Sequence, residues 1–73
     1  VVAFAPSASD PVTVLVAALK DADPQARIGA IRALAAVGPE ARAAAPAVAE
    51  ARFDDNEDVR RAAVESLPRI QTR

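Results

Sequence analysis

Displaced by 33 residues, the second half of this chain falls on the first. Asp21 meets Asp54, Arg27 meets Arg60, Ala30 meets Ala63, Ile31 meets Val64, Leu34 meets Leu67 and Val37 meets Ile70. The apolar matches recur at helical spacing, so the correspondence preserves a buried stripe as well as letters. Upstream the better displacement is 34, which pairs Val14 with Val48 and Leu19 with Phe53. One residue is therefore lost at the turn before the second Asp, and register is kept on either side. A chain of this kind is limited to repeat architectures, in which each unit buries its apolar face against the next.

Punctuation gives the elements. Asp10-Pro11 reads as an N-cap followed by Pro at the first helical position, opening a helix to about Lys20. Asp23-Pro24 repeats the signal and opens a second helix carrying Ile28, Ile31, Leu34, Ala35 and Val37. Gly38 ends it in a left-handed conformation, and Pro39 prevents its resumption. Residues 40–44 form one loose turn. A third helix is expected over 45–53, presenting Ala47, Val48, Ala51 and Phe53, and Asn56 caps a fourth with the face Val59, Ala63, Val64, Leu67 and Ile70. Pro68 is expected to kink or end that helix, because it removes a donor and crowds the Val64 carbonyl. No segment alternates with period two for long enough to make a strand. The expected fold is all-α, an α-solenoid fragment of two stacked helix–turn–helix units with four helices.

Composition sets limits on what such a fold can do. Of 38 apolar residues among 73, 20 are Ala, so the core is close-packed and gains little per residue. Isolated, the chain is expected to be marginally stable. A net charge of −1, with the signs interspersed, lacks the basic excess of a nucleic-acid binder or of an anionic-membrane binder. No apolar run is long enough to span a bilayer. There is no Cys or His, so thiolate and imidazole metal sites are excluded, and with no Tyr either the usual catalytic bases and nucleophiles are scarce. Asp54, Asp55, Glu57 and Asp58 make a carboxylate cluster, but it lacks the Gly and the ligand spacing of a calcium loop, and helix capping accounts for most of it. No cofactor, metal or catalytic residue is expected.

The residues Leu19-Lys20-Asp21-Ala22-Asp23-Pro24 with Arg27, Ala30, Ala33-Leu34 and Val37-Gly38-Pro39-Glu40-Ala41 resemble the HEAT repeat, and in particular its short bacterial phycobilisome-lyase variety. The second copy carries Phe53-Asp54-Asp55-Asn56 with Val59-Arg60, Ala63 and Leu67. It departs at Leu67-Pro68, where that family usually has Leu-Gly. On this resemblance residues 10–38 are repeat 1 and 39–73 repeat 2, with a right-handed superhelical tendency. Residues 1–9, read against Leu34 to Pro39, are either the remnant of a preceding repeat or a disordered tail. With no Met anywhere, the chain is read as a fragment or a processed product, and a severed copy at its start would make it a section of a longer array.

Two sets of polar residues stand out. Asp21 with Arg27 and Asp54 with Arg60 are expected to form a structural ladder, each Arg using its planar fork to satisfy carboxylates of two neighbouring repeats. Gln25, Arg32, Arg61 and Glu65 fall on the second helices, which line the partner-binding surface of a solenoid; Arg32 and Glu65 are also placed to pair across repeats. Gly29, inside the second helix, is expected to admit the close approach of another backbone. The functional expectation is a non-catalytic protein-interaction or scaffold module, with neither nucleic acid nor membrane as partner. Two alternatives stay open: a segment of a larger enzyme such as a bilin lyase, with its chemistry outside this chain, and a solenoid unit that self-associates through its exposed ends.

Overall fold

A computed structural model describes residues 11–71, so the readings for Asp10 and for residues 1–9 lie outside the described residues. Every element is helical: α1 (Pro11–Ala18), α2 (Pro24–Val37), a 3₁₀ segment (Gly38–Ala44), α3 (Ala45–Glu50), a second 3₁₀ turn (Ala51–Phe53) and α4 (Glu57–Gln71). Three helices have eight residues or more, and α3 is a six-residue stretch inside a broken helical segment. The sequence pattern makes one helix of 45–53; the structure stops it at Glu50 and tightens its last turn to 3₁₀ geometry.

Local chemistry explains the longer elements. At the start of α2 the Asp23 carboxylate accepts the Gln25 N–H at 3.0 Å, and Pro24 needs no partner at the first helical position. Gly38 closes α2 at φ +82°, which bars most side chains, and its N–H reaches the Leu34 carbonyl. Its ψ of −144° differs from the left-handed helical value, so the chain leaves α2 extended and turns directly into the 3₁₀ segment. Asn56 caps α4 by accepting from Asp58 N at 2.8 Å and Val59 N at 3.1 Å. Glu57 and Asp58 at the head of α4 and Arg69 near its tail complement the helix dipole.

The most extensive packing is between α2 and α4, with α1 laid on α2 and the broken segment laid on α4. Ile31, Leu34, Val48, Val59 and Ile70 are the large side chains sealed completely in the core. Each contributes roughly 1.5–3 kcal/mol from burial. Ala30, Ala41, Ala44, Ala62 and Ala63 fill the remaining space, which lets the helices approach closely. No residue of α1 is fully buried; Val12, Leu15, Val16 and the following Leu19 lean on the core from one side.

Four expectations are corrected. Val64 is exposed and Ala62 and Ser66 are buried in its place. Val64 lies five residues from Val59, about 140° round the helix, outside the stripe that meets α2. Phe53, also five residues beyond the buried Val48, points away from the core with only the Arg52 guanidinium over its ring, 5.6 Å from the centroid. Pro68 does not end α4, which continues to Gln71 because the fully buried Ile70 anchors its final turn. Gly29 meets no other backbone: a Cβ built there would find no atom within 4 Å.

Candidate functional site

The two turns that open α2 and α4 share one set of contacts. In the first, Asp21 Oδ1 accepts the Asp23 N–H at 2.8 Å; in the second, Asp54 Oδ1 accepts the Asn56 N–H at 2.9 Å. Arg27 Nη1 donates to the carbonyls of Asp21 and Ala22 at 2.7 and 3.1 Å. Arg60 Nη1 donates to those of Asp54 and Asp55 at the same two distances. Each Arg thus ties down the turn that precedes its own helix.

Arg27 does more. Its Nη2 donates to Asp54 Oδ1 at 3.1 Å, and its Nε lies 3.0 Å from Oδ2. The Nε contact is an ion pair without a directed hydrogen bond, because the N–H points off the carboxylate oxygen; Nε is buried and otherwise unpartnered. Both side chains are largely shielded from water, so the attraction is screened less than at the surface. The Asp54 carboxyl is held below its ordinary value, chiefly by the hydrogen bond from the Asn56 amide, then by the Arg27 hydrogen bond and the charges of Arg27 and Arg60, against an opposing effect of burial. The sequence reading had each Arg satisfying two carboxylates. Arg27 instead grips one carboxylate of the second turn and two backbone carbonyls of the first, because Asp21 turns its own carboxylate inward onto the Asp23 amide.

The other candidate residues separate. Arg32 and Glu65 line one open groove of about 310 Å³ between α2 and α4, with Ala35, Ala36, Ser66 and Arg69. They make no ion pair with each other. Arg61 reaches Glu57 and Asp58 on its own helix at 3.7 and 3.8 Å, and lies in a shallower groove with Arg52, Arg60 and Val64 that shares Glu65 as its border. Gln25 lines neither groove. Arg69 is the member that sequence reasoning missed, having been assigned only to the helix dipole. Its spacing of four from Glu65, which puts both on one face, was the available signal.

A comparison with known families matches the HEAT repeats over residues 7–73. The chain belongs to the HEAT repeat family. Repeats of this family commonly mediate protein–protein interaction or scaffolding. Comparisons with curated proteins and with solved structures find no match for this HEAT chain. Among its described residues no group of three or more acidic side chains is gathered closely enough to hold a metal ion, and no helix is long and apolar enough to cross a membrane.

Proposed function

We propose that the chain is two HEAT-like units, α1 with α2 and the broken segment with α4, forming a non-catalytic protein-binding or scaffold module of the short bacterial variety. Its partner lies along the second helices, centred on the groove between α2 and α4. One observation carries this reading. Arg32 and Glu65 face each other's helices across that groove's lining with no ion pair or side-chain hydrogen bond among the described residues, whereas Arg27, Arg60 and Arg61 are engaged. Fixed, unpaired charges of both signs on rigid helices suit recognition of a complementary charged segment of protein. Gln25 and Arg61, which lie outside that groove on the same two helices, would serve as secondary contacts.

A photo-reactive residue at position 32, compared with one at the exposed position 43 of the 3₁₀ segment, tests this in extract from the source cells. Adducts specific to position 32 that disappear with Glu65→Arg are expected. The same adducts from both positions, or indifference to Glu65→Arg, overturn the reading.

A further inference from the structure

The groove between α2 and α4 has a direction. Arg27, in the first turn of α2, grips Asp54 just before α4, so the two helices start side by side. Further along, Arg32, Ala35 and Ala36 form one wall of the groove and Glu65, Ser66 and Arg69 the other. Helices that meet at their starts and again at these later stretches run parallel. The displacement of 33 that relates the two halves then sets Arg32 level with Glu65, and Ala36 level with Arg69 one turn further on.

One wall therefore carries a cation followed by a methyl group, and the other an anion followed by a cation. Arg32, Glu65 and Arg69 are exposed, and among the described residues none of them makes an ion pair or a side-chain hydrogen bond. Arg69 stands opposite Ala36, which has nothing to offer a guanidinium. The lining holds two Arg and one Glu, a local charge of +1 in a chain whose net charge is −1.

Size decides the form of the occupant. At about 310 Å³ the groove lies at the lower end of ligand sites, too small for the body of a helix roughly 10–12 Å across. An extended segment matches the spacing of the lining. Four residues of α4 separate Glu65 from Arg69, a rise of about 6 Å, and two residues of extended chain span about 6.6 Å. Successive side chains of such a chain point to opposite sides, so they meet the walls in turn: Arg32, Glu65, Ala36, Arg69.

We infer, resting on the assignment of this groove as the partner's site, that its occupant is an extended segment of another protein with the charge order acidic, basic, apolar, acidic, in one chain direction or the other. Its carboxylates meet Arg32 and Arg69, its cation meets Glu65, and its apolar side chain covers Ala36. The segment carries −1 against the +1 of the lining, and the order of signs sets its register as well as its attraction. No stretch of the 73 residues has this order in either direction, so a second copy of the chain does not supply it.

Nuclear magnetic resonance titration of the isotope-labelled chain with two capped peptides, Gly-Glu-Lys-Leu-Glu-Gly and Gly-Glu-Leu-Lys-Glu-Gly, tests the inference. At least one is expected to move the amides of Arg32, Ala36, Glu65 and Arg69 at millimolar concentration. Its charge-inverted version, and a version with Gln at each charged place, are expected to bind about fivefold more weakly or worse, the scale of a few exposed ion pairs. R69E, at an exposed position, is expected to lose the binding and to regain it with a peptide whose facing Glu is changed to Lys. A charge-inverted or neutral peptide that binds equally well overturns the inference and leaves the groove itself as a protein site, which cross-linking from position 32 tests separately. An equal response to sodium glutamate at matched carboxylate concentration also overturns it, since any carboxylate would then suffice. So does the absence of shifts from both peptides, whatever adducts position 32 yields.

Discussion

The two halves of this molecule share a plan and bury different parts of it. Ala30 and Ala63 are both buried, as are Leu34 and Leu67, so these positions are used alike in the two halves. Ile31 is sealed while Val64 is exposed, and Ala62 is sealed while Gly29 is bare. Equivalent positions thus have unequal energetic weight, because a stripe matters only where another helix stands beyond it. The repeat determines what each half can offer its neighbour, and the neighbour determines what that offer contributes.

The largest effect is expected at the Ile31–Val64 pair. Ile31→Ala removes a sealed side chain and should cost about 2–5 kcal/mol in urea unfolding, enough to unfold a small domain outright. Val64→Ala should stay within about 0.5 kcal/mol in dilute solution. Similar losses at the two positions would mean that the halves are more alike than their burial implies.

Next comes the clamp. Arg27→Ala leaves the Asp54 carboxylate shielded and half-satisfied, and should cost about 2 kcal/mol, the usual range for a hydrogen bond to a charged group. Asp21→Ala, which removes a turn contact with no Arg gripping its carboxylate, should cost under about 1 kcal/mol. Acid sharpens the contrast. Asp54 is held below its ordinary value in the folded chain, so its contribution is full at neutral pH and down to the unfolded-chain value. It is lost as pH falls through the lower folded value. Asp54→Asn should flatten that acid-side loss in a series of thermal melts.

The smallest effect has the opposite sign. Gly29→Ala meets no atom and should stabilise α2 by about 0.5–1 kcal/mol in the dilute monomer, through the restricted unfolded chain and the better helix former. The reverse change at its counterpart, Ala62→Gly, loses both propensity and packing and should be clearly destabilising. Gly38→Ala should also destabilise, since φ +82° strains any Cβ.

What the sequence reveals of this fold follows from where its information lies. Asp23-Pro24, Gly38 and Asn56 mark helix ends through short-range chemistry, and the structure places α2 and α4 as those residues require. The apolar period selects Ile28, Ile31, Leu34 and Val59 as core, because burial on one face is a local pattern. Val64 misleads because it inherits its place by correspondence with Ile31, and correspondence says nothing of whether a neighbour is present. The break at Glu50 is hard to read for a related reason: Ala suits α and 3₁₀ turns equally well, so no residue in 45–53 marks the change. In the candidate groove, Arg32 and Glu65 are recoverable from position, but the pairing of Arg27 with Asp54 across the junction needs three dimensions.

Asp54 Oδ1 accepts from two donors, the amide of Asn56 in its own turn and Nη2 of Arg27 on α2. One oxygen thereby shapes a local turn and fastens a long-range junction, so neither can be lost without weakening the other. The two halves are latched into a single cooperative unit, and exchange of the Asn56 amide with solvent reports on whether α2, a helix it does not belong to, is still in place.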